Sequence, residues 1–591
     1  MKQTVRLTLS ISVCLALASV IGWAAQSYRV VLEHDVAVRM RDGVTLRADI
    51  YRPDAPGKFP VLLERTPYNK ANETKTGYED AAHGYVVIIQ DCRGRYASEG
   101  EWYPFKHESQ DGFDTVEWAA SLPHSDGKVG MFGGSYVGAT QMLTAIAHPP
   151  HLAGIFPIVT ASNYHANWTY QGGAFTQWFN ESWTSGLAQD TLSRRVAHNT
   201  DALDHMNALP LEHYSLFPIP PSLGQDGLKS LAPYFLDWLR HPSYDDYWKQ
   251  WSIEKDYSRI RVPAFHSGGW YDLFLGGTLR NYEGIKAHGG TEAARDGQRL
   301  LIIVGGHAGL GRKVGDVDFG AASVIDFNAL MLRWYDFLLK GASNGMAQEK
   351  PVKYFVTGRN EWREAESWPP PGARTTHFYL HSAGKANSVL GKGMLSQEKA
   401  GQESPDQFVY DPSNPVPTIG GRLCCDSVHL EPGARDQRPN EARSDVLVYS
   451  TPAFTHDFDV TGPVHLELYA SSTAVDTDFT AKLVDVAPGG FARNVTGGIL
   501  RARYRNSMET PQFMTPGQVY KFEIDMWATG NVFLAGHRLR LEVSSSNFPR
   551  FDRNLNTGES PETGSRWVKA TNTIYHDAAH PSALVLPVMP Q

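Results

Sequence analysis

Cysteine is scarce in this chain: four residues in 591, one of them, Cys14, inside the first 25. The remaining three, Cys92, Cys424 and Cys425, cannot all pair with one another, so a disulfide framework is excluded and a large apolar core must hold the fold. No Cys or His residues recur at metal-ligand spacing, and neither a metal nor an organic cofactor is expected. Charge of one sign is also missing. The 55 Lys+Arg face 63 Asp+Glu for a net charge of −8, with no Lys/Arg block anywhere. A nucleic-acid backbone or an anionic membrane surface therefore finds no electrostatic footprint. With 42% hydrophobic and 20% charged residues, disordered, collagenous and polybasic classes are excluded as well.

Only the N-terminus carries a long apolar stretch. Lys2 and Arg6 form a basic start, Leu7 to Ile21 an apolar run, and Gly22-Trp23-Ala24 puts small residues three and one positions before a cut, which is the pattern of a secretory signal peptide over residues 1–24. A membrane span needs about 20 apolar residues, more than this run has, and no stop-transfer charges follow it. The mature protein is expected to be periplasmic or secreted and free of the membrane. Cys92 follows an apolar strand-like run and reads as a small buried hydrophobe. For Cys424 and Cys425 a vicinal bridge, a bond from one of them to Cys92, and a free buried thiol all remain open.

At about 100 to 200 residues per domain, the length suggests three or four units. Pro60 to Glu64 and Tyr85 to Gln90 are near-continuous apolar runs suited to strands buried on both faces of a parallel sheet. The segment from Asp111 to Ala120 has helical spacing, and Val129 to Phe132 is a further short strand followed by a helix. This alternation predicts an α/β domain. It stops between Asn163 and Glu254, where aromatic, helix-like segments predict a helical cap. It resumes at Ile260 to His266 and Leu300 to Val304 and ends in an amphipathic stretch from Val324 to Leu339. Beyond residue 342, short alternating strands (Lys353 to Thr357, Thr376 to His381, Val464 to Ala470, Tyr520 to Asp525, His537 to Val543) predict an all-β, jelly-roll-like sandwich. The predicted layout is an α/β domain over 25–162 and 255–342, a cap over 163–254, and a β-sandwich over 343–591.

The segment Lys128 to Thr140 reads KVGMFGGSYVGAT: an apolar strand turning through glycines into a helix around a single serine, Ser135. A strained strand-to-helix elbow needs this composition, because the backbone must pass close to its neighbours while lifting the hydroxyl into the open. Serine is a weak nucleophile without a general base, and that base needs an orienting carboxylate. Asp272 lies just past the strand at Ala264 to His266, and His307 just past the strand at Leu300 to Val304, where the loops of an open α/β sheet converge. The chain order serine, acid, histidine is the one such hydrolases use.

These segments, together with Arg65-Thr66-Pro67-Tyr68, Gln90-Asp91-Cys92-Arg93-Gly94-Arg95-Tyr96-Ala97-Ser98-Glu99-Gly100, Gly133 to Gly138 and Gly269-Trp270-Tyr271-Asp272, resemble the cocaine-esterase-like serine hydrolases, a family related to X-prolyl dipeptidyl peptidases, glutaryl acylases and α-amino acid ester hydrolases. The resemblance spans nearly the whole chain after the signal segment. It implies an α/β-hydrolase domain with Ser135 as nucleophile, His307 as base, Asp272 as its orienter, and an oxyanion hole from the Tyr68 hydroxyl and the Tyr136 N–H. It also implies Trp168, Trp183 and Phe274 as substrate-binding aromatics. Asp91, Arg93 and Glu99 read instead as charges that lock the loop after a strand. Two departures stand out. The family commonly has Gly-Pro-Trp-x-His before the histidine, where this chain has Ile303-Val304-Gly305-Gly306-His307. No second acid accompanies Asp272, so the carboxylate cluster that holds an α-ammonium group is missing there.

The expected function is an exported serine hydrolase that cleaves an acyl or aryl carboxylic ester through an acyl-enzyme. The competing expectation is an acylase or X-prolyl dipeptidyl peptidase acting on a small-molecule amide. From another class comes a non-catalytic binding protein with an inert triad, since sandwich domains also serve as lectins. A homo-oligomer is compatible with the sequence.

Overall fold

The computed structural model describes residues 27–195, 231–307, 311–559 and 564–590. The expected signal peptide and residues 196–230, the middle of the expected cap, lie outside the described residues.

Ten strands form one sheet: β1 (Val30–Arg39), β2 (Thr45–Pro53), β3 (Phe59–Thr66), β4 (Val86–Asp91), β5 (Ser125–Gly134), β6 (Leu152–Ile158), β7 (Ala264–Tyr271), β8 (Gln298–Gly306), β9 (Val352–Val356) and β10 (Glu361–Ala365). Their order is β1-β2-β4-β3-β5-β6-β7-β8-β9-β10. β1 and β2 enter as an antiparallel pair, β2 runs antiparallel to β4, and all strands from β4 to β9 across the sheet are parallel. The apolar runs in β3 and β4 are buried on both faces, as parallel strands covered by helices require. Among the described residues, the α-helices of eight residues or more are α1 (Thr74–Ala82), α2 (Glu108–Ser121), α3 (Tyr136–Ala147), α4 (Gln177–Arg195), α5 (Pro233–Arg240), α6 (Leu275–His288) and α7 (Phe327–Leu338).

After β3 the chain moves to one side, to β4, and after β5 it moves to the other, to β6. The winding thus reverses between β3 and β5. The crevice beyond the carboxyl ends of two such strands is where open α/β sheets bind ligands. Residue 68 follows one of these strands and residue 135 the other.

The cap contributes an irregular turn at His165–Thr169, a short hairpin of Tyr170–Gln171 and Ala174–Phe175, and helices α4 and α5. The C-terminal β domain is an eleven-stranded sheet closed around its own core, in which Leu466, Leu468, Phe479, Leu483, Phe522, Ile524, Leu539, Leu541 and Val543 are buried. On strand Arg538–Ser544 the apolar face meets that core. Its charged face is also covered: Arg540 pairs with Glu441 at 2.5 Å, and Glu542 with Lys482 at 3.3 Å.

One expectation needs correcting. The strand at Lys353 to Thr357, assigned to the sandwich beyond residue 342, is β9. It pairs in parallel with β8 and antiparallel with β10, so the α/β sheet runs on to Ala365. Alternation reveals a strand but not the sheet that takes it. Of the cysteines, Cys424 and Cys425 are bonded to each other and Cys92 is a buried free thiol. No described helix is long and apolar enough to cross a membrane.

Candidate active site

Ser135 sits between β5 and α3 with φ 61° and ψ −125°, a conformation that costs a non-glycine residue about 1–3 kcal/mol. The surrounding structure enforces it. The Ser135 N–H donates to Ile158 O at 2.9 Å, and Gly138 lets α3 close on the segment that follows β6, since a Cβ there would fall 2.7 Å from Thr160 Cβ. The hydroxyl is left at the N-terminus of α3, where unpaired N–H groups and the helix dipole favour negative charge.

Asp272 directly follows β7 and is fully buried. One carboxylate oxygen accepts the Phe274 N–H at 3.1 Å and the other lies 2.8 Å from His307 Nδ1. β7 and β8 approach so closely here that a Cβ at Gly269 would lie 2.1 Å from Gly305 O. That contact is what the glycine of Gly269-Trp270-Tyr271-Asp272 is for. His307 directly follows β8, and its Nε2 is 2.8 Å from Ser135 Oγ. A carboxylate only accepts hydrogen bonds, so Nδ1–H donates to Asp272 and Nε2 is left to accept the serine proton. The Gly305-Gly306 approach thus brings His307 within reach of both Asp272 and Ser135. The Phe274 ring packs edge-on to the imidazole at 5.1 Å and shields one side from water.

Tyr68 lies across the crevice at the end of β3. Its phenol oxygen accepts the Trp183 indole N–H at 3.0 Å. Burial pushes the phenol's pKa up, while the Trp183 N–H, the Ser135 hydroxyl, the Arg95 charge and the Tyr136 N–H, which all act on it, pull the other way. A protonated donor and a backbone N–H thus converge beside the serine. The Tyr136 side chain turns away: its hydroxyl accepts the Phe105 N–H at 2.7 Å and donates to Glu108 at 3.0 Å.

Trp168, Trp183 and Phe274 pack together and are buried in the core behind the serine and the imidazole, rather than standing open to a substrate. Trp168 stacks on Phe274 at 4.4 Å and meets Trp183 edge-on at 5.5 Å. Asp91, Arg93 and Glu99 act within the loop, Asp91 accepting the Lys70 N–H at 2.8 Å, Arg93 pairing with Asp111 at 2.6 Å and Glu99 accepting the Thr45 N–H at 2.9 Å. Among the described residues, no group of three His, Cys, Asp or Glu side chains could hold a metal ion.

Sequence reasoning passed over Arg95, which is fully buried. Its Nε–H donates to Pro67 O at 2.9 Å and its Nη1 to Leu187 O at 2.8 Å, tying the Tyr68 loop to cap helix α4. Misplacing a reacting group by about 1 Å costs on the order of 10²-fold in rate. Arg95→Met is therefore expected to lower kcat by about that factor with little change in KM. Arg95→Lys, which keeps the charge but not the two-pronged geometry, should recover part of the loss. Steady-state kinetics on the three proteins checks this.

Residues 42–309 match the family model for X-Pro dipeptidyl-peptidase (S15 family), and residues 344–585 match that for the X-Pro dipeptidyl-peptidase C-terminal non-catalytic domain. Cocaine esterase from a Rhodococcus species is 39% identical over 571 residues, covering 94% of this chain and 98% of the relative. The chain belongs to this family. It is accordingly a serine hydrolase. Among solved structures, an α-amino acid ester hydrolase aligns at TM-score 0.78 with 25% identity, covering 98% of this chain and 100% of that one. An aminopeptidase from a marine-sediment Thaumarchaeota archaeon aligns at 0.82 with 24% identity, covering 96% and 97%, a likeness of fold.

Proposed function

We propose that this S15-family hydrolase is an exported esterase that cleaves a small acyl or aryl ester through an acyl-enzyme. Ser135 Oγ attacks the ester carbonyl while His307 Nε2 takes the hydroxyl proton, and Asp272 steadies the imidazolium. The charge forming on the carbonyl oxygen is met by the Tyr68 hydroxyl and the Tyr136 N–H. His307 then hands the proton to the departing alkoxide. Water, deprotonated by the same nitrogen, next attacks the acyl-enzyme and frees the acid and Ser135. Trp168, Trp183 and Phe274, buried beside Tyr68 and His307, form the apolar backing of the site.

The observation that carries this reading is the chain of two 2.8 Å contacts from Ser135 through His307 to Asp272. An ester is favoured over an N-terminal peptide because the residues after Asp272 are Leu273, Phe274 and Leu275. They bring no carboxylate to hold a free ammonium group. The test compares kcat/KM on aryl esters with kcat/KM on Xaa-Pro and glutaryl anilides. Aryl esters should be preferred by at least about 10²-fold, the scale on which an apolar pocket rejects a substrate that brings in an extra polar group. Preference for an anilide would replace this reading with an amidase. Export is checked by N-terminal sequencing of the mature protein, which should begin at Ala25.

A further inference from the structure

Two buried arginines meet where the cap hairpin, the Asp272 loop and the β domain join, and every acceptor they find among the described residues is neutral. Arg422 donates through Nε to Trp270 O at 3.2 Å, through Nη1 to Gly497 O at 3.1 Å, and through Nη2 to Thr496 Oγ1 at 2.5 Å and Ala528 O at 3.4 Å. It also lies 4.7 Å over the Trp527 ring. Arg550 finds less. Its Nη2 donates to Gln171 Oε1 at 3.0 Å, its guanidinium lies 4.7 Å from the Phe551 ring, and no other side-chain donor of it has an acceptor among the described residues.

A buried cation without a counter-charge is costly. The cost shows in both groups: burial pulls the pKa of Arg422 down to about 10, and burial together with the charge of Arg422 pulls that of Arg550 down to about 9. The nearest carboxylates acting on Arg422, Asp525 and Asp272, act at a distance and accept nothing from it.

The pair is not sealed. Two small cavities, of about 20 and 30 Å³, are each lined by both arginines. The first also reaches Gln171, whose Nε2 is buried and donates to nothing. One water-sized occupant needs about 10–15 Å³ on this measure. The space therefore has room for a single monatomic ion.

We propose that the cavity between Arg550, Arg422 and Gln171 is a structural halide site, holding one chloride-sized anion that accepts from the Arg550 guanidinium and Gln171 Nε2. The ion supplies the missing negative charge at a three-way junction. Gln171 belongs to the cap hairpin, Arg550 and Arg422 to the β domain, and Arg422 holds the Trp270 carbonyl two residues before Asp272. Halide binding thus fastens cap and β domain to the loop that carries the triad acid.

Diffraction from crystals grown in sodium bromide should show one bromide anomalous peak within hydrogen-bonding distance of Arg550 and Gln171. In solution, the melting temperature should rise saturably by a few degrees when sodium gluconate is replaced by sodium chloride or bromide at equal ionic strength. Gln171→Glu places a carboxylate beside Arg550. That variant should melt in gluconate as the wild type does in saturating chloride, and should lose the halide response. Arg550→Gln should also lose it, provided it folds. Overturning results are a cavity holding only water without anomalous signal, a wild-type melting temperature indifferent to halide, or an undiminished halide response in Gln171→Glu.

Discussion

Ser135→Ala is expected to lower kcat on an ester substrate by about six orders of magnitude, the loss seen when a triad serine is removed from a hydrolase of this chemistry. The variant should still bind substrate and should no longer react with a fluorophosphonate probe that labels the wild type. The size of the loss follows from the geometry. His307 Nε2 has one partner, Ser135 Oγ, and Asp272 is buried behind the imidazole with its second oxygen committed to the Phe274 N–H. Without the hydroxyl neither has another reacting atom to serve. Adding His307→Ala to Ser135→Ala should therefore cost almost nothing further, because groups that act as a unit lose their effect together. A stability measurement runs alongside. Alanine suffers the same positive φ as serine, so Ser135→Ala should melt near the wild type. Glycine accepts that backbone freely, and Ser135→Gly should gain about 1 kcal/mol or more while remaining inactive. Retained activity or labelling in Ser135→Ala would remove the proposed nucleophile.

The elbow was legible in the sequence because its determinants are local: an apolar strand, closely spaced glycines and a helix within thirteen residues. Asp272 and His307 were legible by a weaker rule, that loops after parallel strands converge. Tyr68 was different. No local pattern marks it, and only the family resemblance brought it forward, since its place opposite Ser135 depends on β3 and β5 being neighbours at the reversal of the sheet. Strand order of that kind is a property of the whole sheet. The same limit explains the misassigned β9, whose alternating pattern fits either sheet. It also explains Arg95, Arg422 and Arg550, which resemble ordinary surface arginines until the cap and the β domain fold over them. For Arg422 and Trp270 the partners are 152 residues apart.

Tyr68→Phe is expected to reduce kcat by about 10²- to 10³-fold, corresponding to roughly 3–4 kcal/mol of lost transition-state stabilisation from one oxyanion donor. KM should change little, because the ground-state carbonyl carries far less charge than the oxyanion. Two effects must be separated. Removing the hydroxyl also leaves the Trp183 indole N–H, now donating to it at 3.0 Å, without its acceptor. Trp183→Phe isolates that term: it keeps the phenol and should retain most of the kcat. If the two variants lose activity equally, the phenol serves only to hold the tryptophan. The pH profile gives an independent reading. A phenol normally ionises near pH 10, and burial raises the value for Tyr68. For an acid, a raised pKa means that the neutral, donating form persists to higher pH. The phenol should therefore remain a donor up to at least about pH 10, and wild type and Tyr68→Phe should have parallel profiles from about pH 8 to 10. A wild-type decline in that window that vanishes in the phenylalanine variant would mean that the hydroxyl ionises early. Tyr68 would then be a poor oxyanion donor under alkaline conditions, and the backbone N–H of Tyr136 would carry most of the stabilisation.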